Sequence, residues 1–219
     1  MKIEKIKDLW LPSEDAQIEQ WRSNGVPFMQ DKCLKSFLKY CKSQNKKFKR
    51  VLDIGAWCGT CSIIMEKHIM AIDAFEPNKT YFACLEKNVA RFSDRIKSHR
   101  IAIGNKEDSI SLTTEDATQN TRVDGTGEIL MHTIDYYNYT DVDFIKIDVE
   151  GYEMRVLEGA KKTITFNDEN QSYVKFLMIE LNNNTRKYGS SNLEIEKYIE
   201  SLGFKILIKI WPDIVFYRT

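Results

Sequence analysis

Four residues in one quarter of the chain, Asp53, Gly55, Gly59 and Glu76, have the types and spacing to hold a nucleoside. Asp53-Ile54-Gly55 closes an apolar run, and Gly59 follows where a helix should begin. Glycine suits such a turn because it tolerates positive φ and lets a ligand approach the backbone. The next apolar run ends in Phe75-Glu76-Pro77-Asn78, about twenty residues beyond the glycine turn, where doubly wound folds place an acid on ribose hydroxyls. The spacing Gly-x-x-x-Gly differs from the G-x-G-x-x-G that brings a helix N-terminus to a pyrophosphate. Asp53 would repel that pyrophosphate and favour the positive end of S-adenosylmethionine. The same stretch, GAWCGTC at 55–61, also carries Cys58-Gly59-Thr60-Cys61, the pattern of a thiol-disulfide oxidoreductase. Such an enzyme needs a cis-proline facing the thiol, and neither later proline, Pro77 or Pro212, is placed for it.

These residues need a sheet to carry them. Strands are predicted at 51–55, 70–76, 98–104, 143–148, 174–181, 205–211 and 213–219, alternating with helix-period segments. The helical faces are Phe82/Leu85/Val89/Phe92, Met154/Leu157/Ala160/Ile164 and Ile195/Tyr198/Ile199/Leu202, with Gly203 as a C-cap. This alternation predicts an α/β fold: a mostly parallel, seven-stranded sheet with helices on both faces and an antiparallel hairpin at the C-terminus. Residues 108–135 read as an added β-hairpin around a mobile polar loop, TQNTRVDGTG. Residues 1–49 form an N-terminal helical or flap extension, irregular to residue 27 and helical around Leu34, Phe37, Leu38 and Cys41. The basic run KSQNKKFKR then reads as a solvated linker to a domain at 50–219.

Composition narrows the partners. The 219 residues carry 32 Lys plus Arg against 32 Asp plus Glu, so no net field recruits nucleic acid or an anionic membrane. Five scattered cysteines and the start MKIEKIKDLW, which has no apolar leader core, point to a reduced, cytoplasmic protein. The longest aliphatic runs, such as FLMI at 176–179, are too short to span a bilayer. Oligomeric state is not legible.

The segment HTIDYYNYTDVDFIKIDVEGYEMRVLEGA at 132–160, together with VLDIGA, AFEPN and IAIGN, resembles the FkbM family of S-adenosylmethionine-dependent methyltransferases over about residues 50–182. The resemblance implies a Rossmann-like class I methyltransferase fold that methylates a hydroxyl of a sugar, glycan or related small molecule. It further implies that Asp53, Gly55, Ala56, Trp57 and Gly59 surround the methionine end, Glu76 and Pro77 the ribose, and Ile101, Ala102 and Ile103 the adenine, with Asp148 beside the reacting methyl. Trp57 and Cys58 depart from the family's smaller residues, which would narrow the methionine pocket. Gln30, within GVPFMQD, could point inward from a flap.

Methyl transfer to an alcohol needs alignment and a base. Asp148, Glu180 and His132 are the candidates. Should the fifth strand extend to Asn182, then Asp148, Glu180 and Asn182 would form a hard-oxygen set for Mg²⁺; should Asn182 open a loop, Asp148 or His132 works without metal. Glu150 and Glu153 are assigned to the first turn of the next helix and Asp135 to an N-cap. Tyr136, Tyr137, Tyr139 and Tyr152 would suit a sugar ring. A cofactor-binding domain without catalysis is the other class left open.

Overall fold

The computed structural model describes residues 2–6, 8–13, 18, 32–92, 94–114, 121–166 and 174–218. Its centre is a seven-stranded sheet made of β3 (Phe48–Ile54), β4 (Ile69–Phe75), β5 (Ile96–His99), β9 (Val142–Ile147), β10 (Phe176–Glu180), β11 (Lys205–Ile210) and β12 (Asp213–Tyr217). The order across it is β11-β12-β10-β9-β3-β4-β5, parallel from β10 to β5, with β12 antiparallel to both β10 and β11. β9 is buried at every position and β3 from Val51 onward, because both faces of the sheet are covered.

Alternation along each strand sorts side chains into two cores. Leu52, Ile54, Ile145 and Ile147 pack under Val156 and Leu157 of α4 (Glu153–Gly159), Ile164 of α5 (Lys161–Thr165), and Ile195 and Ile199 of α6 (Asn192–Ser201). On the other face, Val51 and Phe144 meet Leu34, Phe37, Leu38 and Cys41 of α1 (Lys32–Ser43), Met65 of α2 (Thr60–Met65), and Leu85 and Val89 of α3 (Lys79–Val89). Phe37 is the hub of that face, its ring 4.9 Å from Phe144 and 5.1 Å from Phe176.

Four expectations change. The segment 98–104 is not one strand: the chain leaves the sheet after His99, and β6 (Ala102–Ile103) joins a separate three-stranded sheet with β7 (Asp108–Thr114) and β8 (Thr121–His132). Residues 121–127, read as loop, are the first half of β8. A register shift at Ile110 bends the pair, and a Cβ on Gly127 would lie 2.5 Å from the Ile110 carbonyl, so the glycine that suggested a loop serves a bulge. The N-terminal residues expected to be irregular include an antiparallel pair, β1 (Ile3–Ile6) and β2 (Leu9–Pro12). Asn88 of α3 holds that pair, accepting from the Trp10 amide (2.7 Å) and donating to the Trp10 and Cys58 carbonyls (2.8 Å each). The basic run does not end as linker, since Phe48–Arg50 open β3 and Arg50 pairs with Asp73 and Asp141.

Candidate functional site

A pocket opens at the carboxyl ends of β3, β4 and β9, where a parallel sheet leaves a crevice for ligands. Its floor is the turn after β3. Gly55 (φ +76°), Trp57 (+49°) and Gly59 (+80°) all take the left-handed region, and the Gly55 and Ala56 amides both donate to the Phe75 carbonyl at 3.0 and 2.9 Å. A side chain at Gly55 is impossible: its Cβ would sit 1.7 Å from the Asp148 carbonyl oxygen. At Gly59 the constraint is packing, with Leu85 Cδ1 2.6 Å from such a Cβ.

Glu76 fixes the next wall. Its two carboxylate oxygens accept from the Trp57 amide (2.9 Å) and the Asn78 amide (2.8 Å), while Asn78 caps α3 through Thr80 and Tyr81. Burial pushes this carboxyl up to about 8; the two amides pull against that shift, and the charge of Asp148 adds to it. An acid so desolvated gains from further donors on its remaining lone pairs, such as the paired hydroxyls of a ribose. Ile101, Ala102, Ile103, Leu112 and Val123 complete an apolar side, the last two supplied by the β7–β8 hairpin.

The opposite end is acidic. Asp148 follows β9, Glu150 follows in the left-handed region (φ +55°), and Glu180 ends β10. One carboxylate oxygen from each lies within 4.8 Å of the others. Asn184 donates to Glu150 at 3.0 Å and Asn182 to Glu180 at 2.9 Å. Burial, then the charge of Asp148, pushes Glu150 up to about 7; burial, then Asp148, Glu150 and Asp213, pushes Glu180 up to about 9. The charges of neighbouring acids thus add to burial in favouring the protonated forms of Glu150 and Glu180.

Of the residues singled out in the sequence, the pocket wall holds Gly55, Trp57, Glu76, Pro77, Ile101, Ala102, Ile103 and Asp148. Asp53, Ala56 and Gly59 frame the turn from beneath; Asp53 is fully buried and accepts from Ser62 Oγ at 2.6 Å. Gln30 lies outside the described residues. His132 is not in the wall: it closes β8, packs against Tyr136 at 4.4 Å, and its Nδ1 has no hydrogen-bond partner among the described residues. Tyr137 stacks on Tyr139 and meets Tyr136, Phe75 and His99 edge-on, and only Tyr152 of the four tyrosines lines the pocket.

Two assignments are corrected, those of Glu150 and Asp135, and that of Glu153 holds. Glu150 is not in the helix, because Gly151 (φ +110°) packs against the Asn184 carbonyl and forces a turn first. Glu153 does begin α4, but its carboxylate folds back to accept from the Gly151 amide at 2.9 Å. Asp135 opens a short 3₁₀ turn and caps α5 instead, accepting from the Lys162 and Thr163 amides and the Thr163 hydroxyl at 2.8–2.9 Å. The oxygen set Asp148/Glu180/Asn182 does not form either: β10 stops at Glu180, and Asn182 Oδ1 accepts from the Asn184 amide.

Two residues of the site were missed. Glu150 read as helix. Lys146 carried a signal, a lysine two residues before Asp148 between Ile145 and Ile147, hence on the same face as Asp148. It is 4% exposed, and its Nζ lies 3.3 Å from Asp53 Oδ1, 3.3 Å from the Gly55 carbonyl and 3.4 Å from Asp148 Oδ2.

The methyltransferase FkbM domain matches residues 55–206. Among solved structures the chain is similar to a methyltransferase FkbM from Methylobacillus flagellatus, with a TM-score of 0.55 and 20% identity over 78% of this chain and 43% of that one. The chain thus spans less than half the length of that protein. It is also similar to magnesium protoporphyrin IX methyltransferase from Synechocystis with bound S-adenosylmethionine (TM-score 0.54, 10% identity, 94% and 93% covered). A third likeness is to a Streptococcus pneumoniae tRNA (m1A22) methyltransferase, described as putative and complexed with S-adenosylmethionine (TM-score 0.51, 16% identity, 87% and 73% covered). No curated protein matches by sequence. Among the described residues, no helix is long and apolar enough to cross a membrane.

Proposed function

The chain belongs to the FkbM methyltransferase domain family, and from that premise we propose that it is an S-adenosylmethionine-dependent methyltransferase acting on a hydroxyl of a sugar, glycan or related small molecule. The observation that carries this reading is the placement of Glu76, fixed by two backbone amides in the wall of a pocket whose floor is a left-handed glycine turn. Gly55 and Trp57 would lie along the methionine portion, Glu76 would take the ribose hydroxyls, and Ile101 to Ile103 would cover the adenine.

S-Adenosylmethionine supplies a methyl group already activated by its sulfonium; the chain's own work is to align the acceptor oxygen and accept its proton. Alignment is worth about 7–11 kcal/mol and a positioned base on the order of 10²- to 10⁴-fold. Asp148 and Glu150 line the pocket, with Glu180 behind them, so the acceptor's proton has a carboxylate to enter at that end. A second reading has Mg²⁺ held by Asp148, Glu150 and Glu180, favoured by the approach of their oxygens.

Titration calorimetry with S-adenosylmethionine and S-adenosylhomocysteine tests the cofactor. Glu76→Ala should weaken both by about 1–3 kcal/mol through lost hydrogen bonds to the carboxyl and the partners it leaves unpaired; unchanged affinity would refute the assignment. Incubation with a panel of nucleotide-linked sugars, followed by mass gain of one methyl, tests the acceptor class. Full activity after exhaustive EDTA removes the metal reading, and loss restored by Mg²⁺ replaces the simple base with it. The thiol-disulfide alternative has no support in the fold: Cys58 is buried among Leu11, Ile18 and Cys84.

A further inference from the structure

Lys146 is a buried cation placed between two carboxylates of different duty. Asp53 stabilises the underside of the glycine turn, and Asp148 stands in the pocket wall. The Gly55 carbonyl, within the same turn, takes a third contact from the ammonium. Asp148 is also joined to β3 through the backbone, its amide donating to the Ile54 carbonyl at 3.0 Å. Lysine, turn and Asp148 therefore form one unit. A buried ion pair of this kind adds little stability by itself, because desolvation offsets its attraction. Its definite consequence is electrostatic: the three groups together carry one net negative charge, where the two acids alone would carry two. Glu76, Glu150, Glu153 and Glu180 are carboxyls whose surroundings include this group.

We infer that Lys146 is a specificity-determining residue that sets how strongly the site prefers the cationic methyl donor over its neutral demethylated product, by balancing Asp53 and Asp148. The inference rests on the methyl-donor reading of the pocket. S-Adenosylmethionine and S-adenosylhomocysteine differ by one methyl and one positive charge at sulfur, so the ratio of their affinities reads the potential at that atom and cancels general losses of packing.

The experiment measures both dissociation constants by calorimetry at mildly alkaline pH in five proteins: wild type, Lys146→Met, Lys146→Arg, Asp53→Asn, and the double variant Asp53→Asn/Lys146→Met. Lys146→Met should raise the preference for the donor on the order of 5- to 50-fold, the order expected for removal of one charge beside the pocket at an effective dielectric of about 20–40. Lys146→Arg keeps the charge and the wild-type ratio. Asp53→Asn should lower the ratio, and the double variant should return it to wild type because the net charge is restored. If Lys146→Met does not fold, Asp53→Asn and the double variant still decide the matter, since removing both members of a buried pair is tolerated better than removing one. Equal weakening of donor and product in the variants, with no change of ratio, overturns the inference while leaving the methyl-donor reading intact. Failure of the wild type to bind either compound takes down both.

Discussion

Glu150 and Glu180 differ from surface acids because Asp148 is beside them and little water is. In the unfolded chain Glu180 titrates near the ordinary glutamate value of about 4.5, whereas in the fold it is pushed up to about 9. The sign follows from linkage: a raised carboxyl favours the folded state at low pH and costs stability as pH rises from the unfolded value toward the folded one. Glu180→Gln, which keeps a side chain able to meet Asn182 but cannot ionise, should therefore unfold with a shallower decline between about pH 4.5 and 9. Urea titrations across that range measure it; parallel slopes for the two proteins would show that the carboxyl is not so perturbed. Asp148 and Glu180 were legible as strand-end acids because their apolar runs stop there. Glu150 was not, since Glu-Gly-Tyr-Glu reads as a helix start until the Gly151–Asn184 packing is known.

The elements that flank the pocket are held by polar side chains reaching far along the sequence. Asp135 satisfies the first amides of α5 from 27 and 28 residues away, a capping role normally filled by a residue adjacent to the helix. Asp135→Ala should cost about 0.5–2 kcal/mol, with Asp135→Asn recovering part of it. Thermal unfolding of the three proteins checks this, and an unchanged midpoint for Asp135→Ala would mean that water replaces the cap. The β7–β8 hairpin is another such case. Its pairing with β6 and a hydrogen bond from the Val123 amide to Tyr188 Oη at 3.0 Å place Leu112 and Val123 over the pocket. Alternating residues made a hairpin readable, but neither its extent nor its separate sheet could be read, because a bulge glycine and a loop glycine look alike in one sequence.

At the scale of the molecule, the pair β1–β2 lies on α3 and closes over Cys58 and Cys84; Cys33 and Cys41 of α1 are buried in the sheet's core, and of the five cysteines only Cys61 is partly exposed. A thiol reagent should modify Cys61 quickly and the others slowly. Deleting residues 1–13 should make Cys58 and Cys84 reactive while the seven-stranded sheet persists; equal protection with and without the deletion would show that this cover is not what shields them. The sequence by itself determined the order of strands and helices, the glycine turn and the acid after β4, because hydrophobic period, glycine spacing and strand ends are local properties. It also carried the family, through motifs that span the central strands. Tertiary structure alone decided that Lys146 lies between Asp53 and Asp148, that Glu150 joins Asp148 and Glu180, and that His132 and three tyrosines stand behind the wall. Those facts depend on which strand ends become neighbours and on backbone turns set by close packing, and a charge's partner in a sheet is a matter of distance in space, to which sequence separation gives no guide.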